Sequence, residues 1–143
     1  MRTYETMHLV KNEDLNHHGT LFAARAAAWV VEAGFAAAAC EHGSTDEVVM
    51  RNLQNMSFQK PVQKGTALRF ISRVVYTGTT SLMVAVTAKN AMSGEQFIEG
   101  YITFVTIEAA TGRKMAHSLV LDDTKEEEEL QLRKRAEGFL QRR

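Results

Sequence analysis

The run from Asn16 to His42, NHHGTLFAARAAAWVVEAGFAAAACEH, decides the fold. It opens as a polar loop and becomes a helix with almost no polar face: between Phe22 and Cys40 only Arg25 and Glu32 carry charge. A helix that apolar is expected to be buried on most of its surface. At about 1.5 Å per residue it spans roughly 30 Å, enough to cross a small domain, and its small and charged residues suit a bilayer poorly. At about 100° per residue Arg25 and Glu32 return to nearly the same face, with Trp29 between them, so the two charges share one window. Gly43 is the expected C-terminal cap, and Thr20 or the polar residues before it are the candidates for the N-terminal one.

Working outward, the remaining chain reads as strands. Residues 3 to 10 alternate loosely and carry Thr, Tyr and Val, which suits a first strand. Val48 to Phe58 is a second, halted by Lys60-Pro61 because proline supplies no amide to a ladder. Ala67 to Tyr76, Ser81 to Asn90 and Phe97 to Ile107 alternate with period two. In the fourth strand Leu82, Val84, Val86 and Ala88 oppose Met83, Ala85, Thr87 and Lys89. The connections around Gly78 and Gly94 are short, so these strands should meander antiparallel. Five strands and one early apolar helix predict an α+β fold in which a curved sheet wraps the helix. From Asp122 a separate charged helix is expected, with Thr124 and Glu127 as a capping box and Leu132, Ala136, Phe139 and Leu140 as a narrow apolar stripe.

Composition bounds the function. The 143 residues suit one domain, and 17 basic against 17 acidic side chains leave no net charge to favour nucleic acid or an anionic membrane. The single cysteine, Cys40, is expected to be a small buried hydrophobe. It offers no intrachain disulfide, and MRTYETMHLV lacks the pattern of a signal peptide, so a cytoplasmic location is expected. One cysteine and the adjacent His17 and His18 do not give a metal site, and neither a glycine-rich phosphate loop nor a G-x-S-x-G elbow is present.

What remains for chemistry is the loop Asn16 to Thr20 and Glu32, about three turns into the helix. A helix N-terminus offers unpaired amides and a partial positive charge to a carbonyl or developing oxyanion. Glu32 on so apolar a helix must be paired, for example with Arg69 or Arg73, or border a cavity. His17 and His18 read as a solvent-facing loop or as part of a site, and Asn16 as a turn residue or as a polar group of that site.

Three motifs and the tail carry a resemblance. EDLNHHGTLF contains D-x-N-x-x-G at the start of the helix, MSFQKPVQKG contains F-x-x-P-V-x-x-G, and YTGTTSLMVAV contains G-x-T-S-x-x-V; DDTKEEEELQLRKRAEGF closes the chain as a charged helix. In order and spacing they resemble the hotdog-fold acyl-CoA thioesterases, the bacterial acyl-CoA hydrolases especially.

That resemblance implies a hotdog domain over residues 1–121 with a charged helix over 122–143. It implies obligate homodimers gathered into tetramers or hexamers, each active site shared across an interface. The implied reaction converts acyl-CoA to a free carboxylic acid and CoA, with no cofactor beyond the coenzyme A of the substrate. Asn16 falls on the asparagine that orients the thioester carbonyl with main-chain amides, His17, His18, Gly19 and Thr20 share its loop, and Gly78, Thr79, Thr80 and Ser81 fall on the segment lining the same cleft. Two departures stand out. Ala23-Ala24 replaces the family's Gly-Gly, and Val31 occupies the position of a helical carboxylate, leaving Glu32, about 100° further round, as the nearest acid. A hydratase pairing His17 or His18 with Glu32, and a non-catalytic acyl-CoA binding protein, are the competing readings.

Overall fold

Period-two patterning becomes a five-stranded antiparallel sheet of β1 (Tyr4–Leu9), β2 (Val48–Phe58), β3 (Ala67–Thr77), β4 (Ser81–Asn90) and β5 (Gln96–Thr106), in the order β1-β3-β4-β5-β2. The computed structural model describes residues 1–141, so the last two residues of the predicted tail lie outside the described residues. The meander holds for β3, β4 and β5, whereas β2 leaves it and takes the edge beside β5. The place beside β3 belongs to β1, which is tied there beyond the strand end by the Val10 amide donating to the Thr66 carbonyl.

Two irregularities shift the faces that simple alternation assigns. A slip between Val74 and Tyr76 turns Tyr76 towards the face away from the central helix, and another beside Ala88 turns Phe97 inward, into the main core. One extra residue reverses every later side chain of a strand.

The central helix α1 (Ala23–His42) ends at Gly43, whose φ of 96° suits a residue without a Cβ. Its other end differs from expectation: Phe22 is the cap position, with no side-chain hydrogen bond, because Thr20 is drawn into the preceding loop. The buried positions Ala26, Val30, Ala33, Gly34 and Ala37 form one side, facing Leu68, Phe70, Val84, Val86, Ile98 and Ile102. Small residues let α1 sit close to the sheet, and a Cβ on Gly34 would collide with Ile102 Cδ1.

Burial all round is not what a single chain achieves. The sheet covers one side of α1, and Ala24, Ala28 and Glu32 form an exposed strip opposite. Arg25 and Glu32 do share that open side, as their spacing requires. Cys40 is exposed rather than buried, since the last turn of the helix extends past the covering strands beside Gly43, Ser44 and Thr45.

The second helix, α2 (Glu127–Gln141), packs on the opposite face of the sheet through Leu132 and Ala136 against Val75, Met83, Ala85 and Tyr101. It begins later than its capping box suggested, because the Thr124 hydroxyl accepts from the Glu126 amide in a turn ahead of the helix. The acidic run at and just before its first turn faces basic strand residues: Arg73 Nη1 lies 3.1 Å from Glu126, and Lys89 Nζ lies 2.9 Å from Glu128. Glu129 is buried, which opposes its charge, yet hydrogen bonds from the Met1 ammonium and from Arg133 hold its carboxyl below the usual range.

Candidate functional site

The loop before α1 is built around two side chains of the D-x-N motif. Asp14 is 3% exposed; its carboxylate accepts from the Lys11 amide at 2.9 Å and lies 3.6 Å from Arg25 Nε, while its carbonyl accepts from the Phe22 amide. The loop is thereby tied back to the first turn of the helix. Asn16 Oδ1 accepts from the His18 amide at 2.8 Å and the Thr20 amide at 3.2 Å, and its Nδ2 donates to Thr20 Oγ1 at 3.1 Å. Two amide donors on one atom fix which end of the side chain is oxygen. Gly19, at φ 81°, makes the turn. An antiparallel bridge from Thr20 to Gln63 and the Leu21 amide bonded to the Val62 carbonyl moor the loop to P-V-x-x-G.

Beside it the start of α1 is open. With no side chain capping the helix, its first amides face a surface formed by exposed Ala23 and Ala24. His17 and His18 are exposed, their rings 3.9 Å apart, on the solvent side of the loop.

Glu32 is exposed, and the pairing with Arg69 or Arg73 does not form: Arg69 pairs with Glu5, and Arg73 with Glu126 and Glu129 on the far face of the sheet. Among the described residues Glu32 has no ion-pair partner. Trp29 stacks on His8 of β1 at 4.4 Å, while Val30 and Gly34 meet Gly100 and Ile102 of β5. One helical step beyond Val30 therefore turns Val31 towards the β2 side, and a second carries Glu32 onto the open strip. Glu32 is about 14 Å along the axis from the first helical residue.

The second predicted segment lies elsewhere. Gly78 to Ser81 form the β3–β4 turn, closed by the Gly78 amide donating to the Ser81 carbonyl at 2.8 Å; a Cβ on Gly78 would fall 2.7 Å from Ser81 Oγ, which would have to swing aside. Asn16 is moored just before β3 begins, and this turn follows where β3 ends. The eleven residues of β3 separate them by roughly 35 Å. Within one chain the two segments do not share a cleft.

His117 holds this turn, and no motif announced it. It is buried; its ring Nδ1 accepts from the Leu119 amide at 3.0 Å, so the Nε2 proton donates to the Ser81 carbonyl at 2.8 Å, while its own amide donates to the Thr79 carbonyl. A histidine in a stretch without periodicity gives no sequence signal of such a clamp. Among the described residues no group of three His, Cys, Asp or Glu is placed to hold a metal ion.

A long helix across one face of a five-stranded antiparallel sheet, with a pinned polar loop at its start, defines a hotdog protein. The sequence profile of the thioesterase superfamily matches residues 18–95, and the chain belongs to that superfamily. The chain is similar in structure to an acyl-CoA hydrolase from Staphylococcus aureus solved with butyryl coenzyme A and coenzyme A, at TM-score 0.87 and 24% identity over 98% of this chain and 82% of that one. It is similar also to an acyl-CoA hydrolase from Bacillus cereus, at TM-score 0.80 and 24% identity over 99% and 85%, and to a hexameric acyl-CoA thioesterase, at 0.76 and 26% over 95% and 86%. No curated protein sequence matches the chain.

Proposed function

We propose that the protein hydrolyses acyl-CoA to a free carboxylic acid and CoA, at a site completed by a second copy of the chain. The observation that carries the reading is the uncapped start of α1 beside Asn16. Amides at that end are free to donate to the thioester oxygen as it gains charge, and the Asn16 amide lies beside them to orient the carbonyl. Water attacks the carbonyl carbon; the new C–O bond forms, the C–S bond breaks, and the proton removed from water goes to the leaving thiolate. Glu32, unpaired on the open strip, is the helix acid available as base, while Val31 supplies only an apolar wall.

Three features support a second copy. The open side of α1 is long and, Arg25 and Glu32 apart, apolar. β2 is an eleven-residue edge strand without proline, exposing Val49, Met50 and Phe58, and such edges recruit strands. Antiparallel pairing along β2 would also bring the partner's β3–β4 turn towards the Asn16 end, which uses both predicted segments in one site. Similarity to a hexameric thioesterase and to a hydrolase solved with coenzyme A favours the same assembly and substrate class.

A panel of acyl-CoA esters with a free-thiol readout tests the reading. Thiol release is expected; tight binding without release at any chain length would establish a binding protein instead. The hydratase reading would show as loss of enoyl-CoA absorbance, but neither histidine approaches Glu32 within one chain.

A further inference from the structure

Every carbonyl from Thr79 to Ser81 is engaged, and the donors from outside the turn belong to two buried residues. Thr106, the last residue of β5, offers its amide at 2.8 Å and its hydroxyl at 3.3 Å to the Thr80 carbonyl. His117 supplies the rest: its amide lies 3.2 Å from the Thr79 carbonyl and its ring Nε2 lies 2.8 Å from that of Ser81. The chain brings His117 there by turning back after β5. The Glu108 amide bonds to the Arg113 carbonyl, Ile107 bridges to Lys114, and the Met115 amide donates to the Thr106 carbonyl at 2.9 Å.

The two ring nitrogens of His117 have separable tasks. Nδ1 accepts from the Leu119 amide at 3.0 Å and so shapes the path to Leu119, which packs against the main core. Nε2 crosses to a different element, and its loss leaves a carbonyl without that donor. We propose that His117 is a positioning residue of the site: its Nε2–H holds the β3–β4 turn where the turn meets substrate beside the Asn16 loop of the second copy. For its substrate this rests on the acyl-CoA reading. His117 acts through the Ser81 carbonyl, so its effect falls on a site whose Asn16 belongs to the other chain.

Two substitutions separate the tasks, because an asparagine oxygen falls near the place of Nδ1 and a glutamine nitrogen near that of Nε2. His117→Gln keeps a donor for the Ser81 carbonyl and loses the acceptor for Leu119; His117→Asn does the reverse. In thiol release from an acyl-CoA, His117→Asn should raise KM about fivefold to tenfold with kcat within about twofold of the wild type, and His117→Gln should keep both within about twofold. Hydrogen exchange of the Gly78 amide, which closes the turn, should quicken in His117→Asn and stay slow in His117→Gln. A KM raised by glutamine and kept by asparagine, or raised equally by both, overturns the proposal and leaves His117 a support for its own segment. So does an unchanged KM in both, or a loss confined to kcat. If the wild type releases no thiol from any acyl-CoA, the acyl-CoA reading fails, and exchange at Gly78 still decides the clamp: equal exchange in the two variants overturns it.

Discussion

Replacing Asn16 by aspartate separates two roles that one side chain holds. In the folded chain Oδ1 accepts from the His18 and Thr20 amides at 2.8 and 3.2 Å, which is a structural task that an aspartate oxygen performs equally well. The Nδ2 group donates to Thr20 Oγ1 at 3.1 Å and is the group assigned to the substrate carbonyl, and aspartate cannot donate from that position. Asn16→Asp should therefore unfold within about 3 °C of the wild type, since one partly exposed hydrogen bond contributes about 1 kcal/mol. Loss of a donor to the developing oxyanion, by contrast, costs about 2.7–4 kcal/mol, a fall of about 10²–10³ in kcat. Asn16→Ala removes both roles and should also lose roughly 1–2 kcal/mol of stability. The assay is thiol release from an acyl-CoA, run beside thermal unfolding at one fixed protein concentration. Retention of more than about half the turnover by Asn16→Asp, or activity losses that merely track the unfolding midpoints of the two variants, would refute the reasoning.

Other outcomes follow from the same geometry. Glu32→Gln should lower turnover by about 10² while light scattering shows the assembly intact; unchanged turnover would remove Glu32 as the base. Leu132→Ala, on the other face of the sheet, should destabilise the fold by about 2–5 kcal/mol in denaturant titrations and leave turnover per folded molecule within about twofold. Asp122 and Glu129 have their carboxyls held low by the Met1 ammonium and by Arg133; their contribution is complete above about 4.5, the ordinary Glu value, and is lost as pH falls through the lowered values. Thermal midpoints should drop on acidification below that point, and drop less in Arg133→Gln.

The strands were legible because alternation survives in the sequence wherever one face is buried. β2 and β4 have the bounds that their patterns gave, and Gly43 ends α1 as expected. Strand order was not legible: β2 resembles its neighbours in composition, and only the pairing of Val48 to Phe58 with β5 shows that it leaves the meander. Bulges were hidden for a similar reason, since Tyr76 and Phe97 are apolar on either face. The resemblance puts Asn16 and the Gly78 to Ser81 turn in one cleft shared across an interface; within one chain β3 stands between them, a separation that the spacing of motifs does not carry. Cys40 and Glu32 show the remaining gap, because the hydropathy of a helix does not say which of its faces the sheet of the same chain covers.

The separation along β3 also bears on inheritance. If each site takes its carbonyl-orienting loop from one chain and its turn from another, a defect in either segment damages both sites of a homodimer. Two chains defective in different segments, made in the same cell, would assemble some mixed dimers in which both defects fall on one site and the other site is whole. Lesions that are silent as activities when alone would then complement each other. Two lesions within the Asn16 loop would not, and the map of complementing pairs would trace the boundary between the two halves of the site.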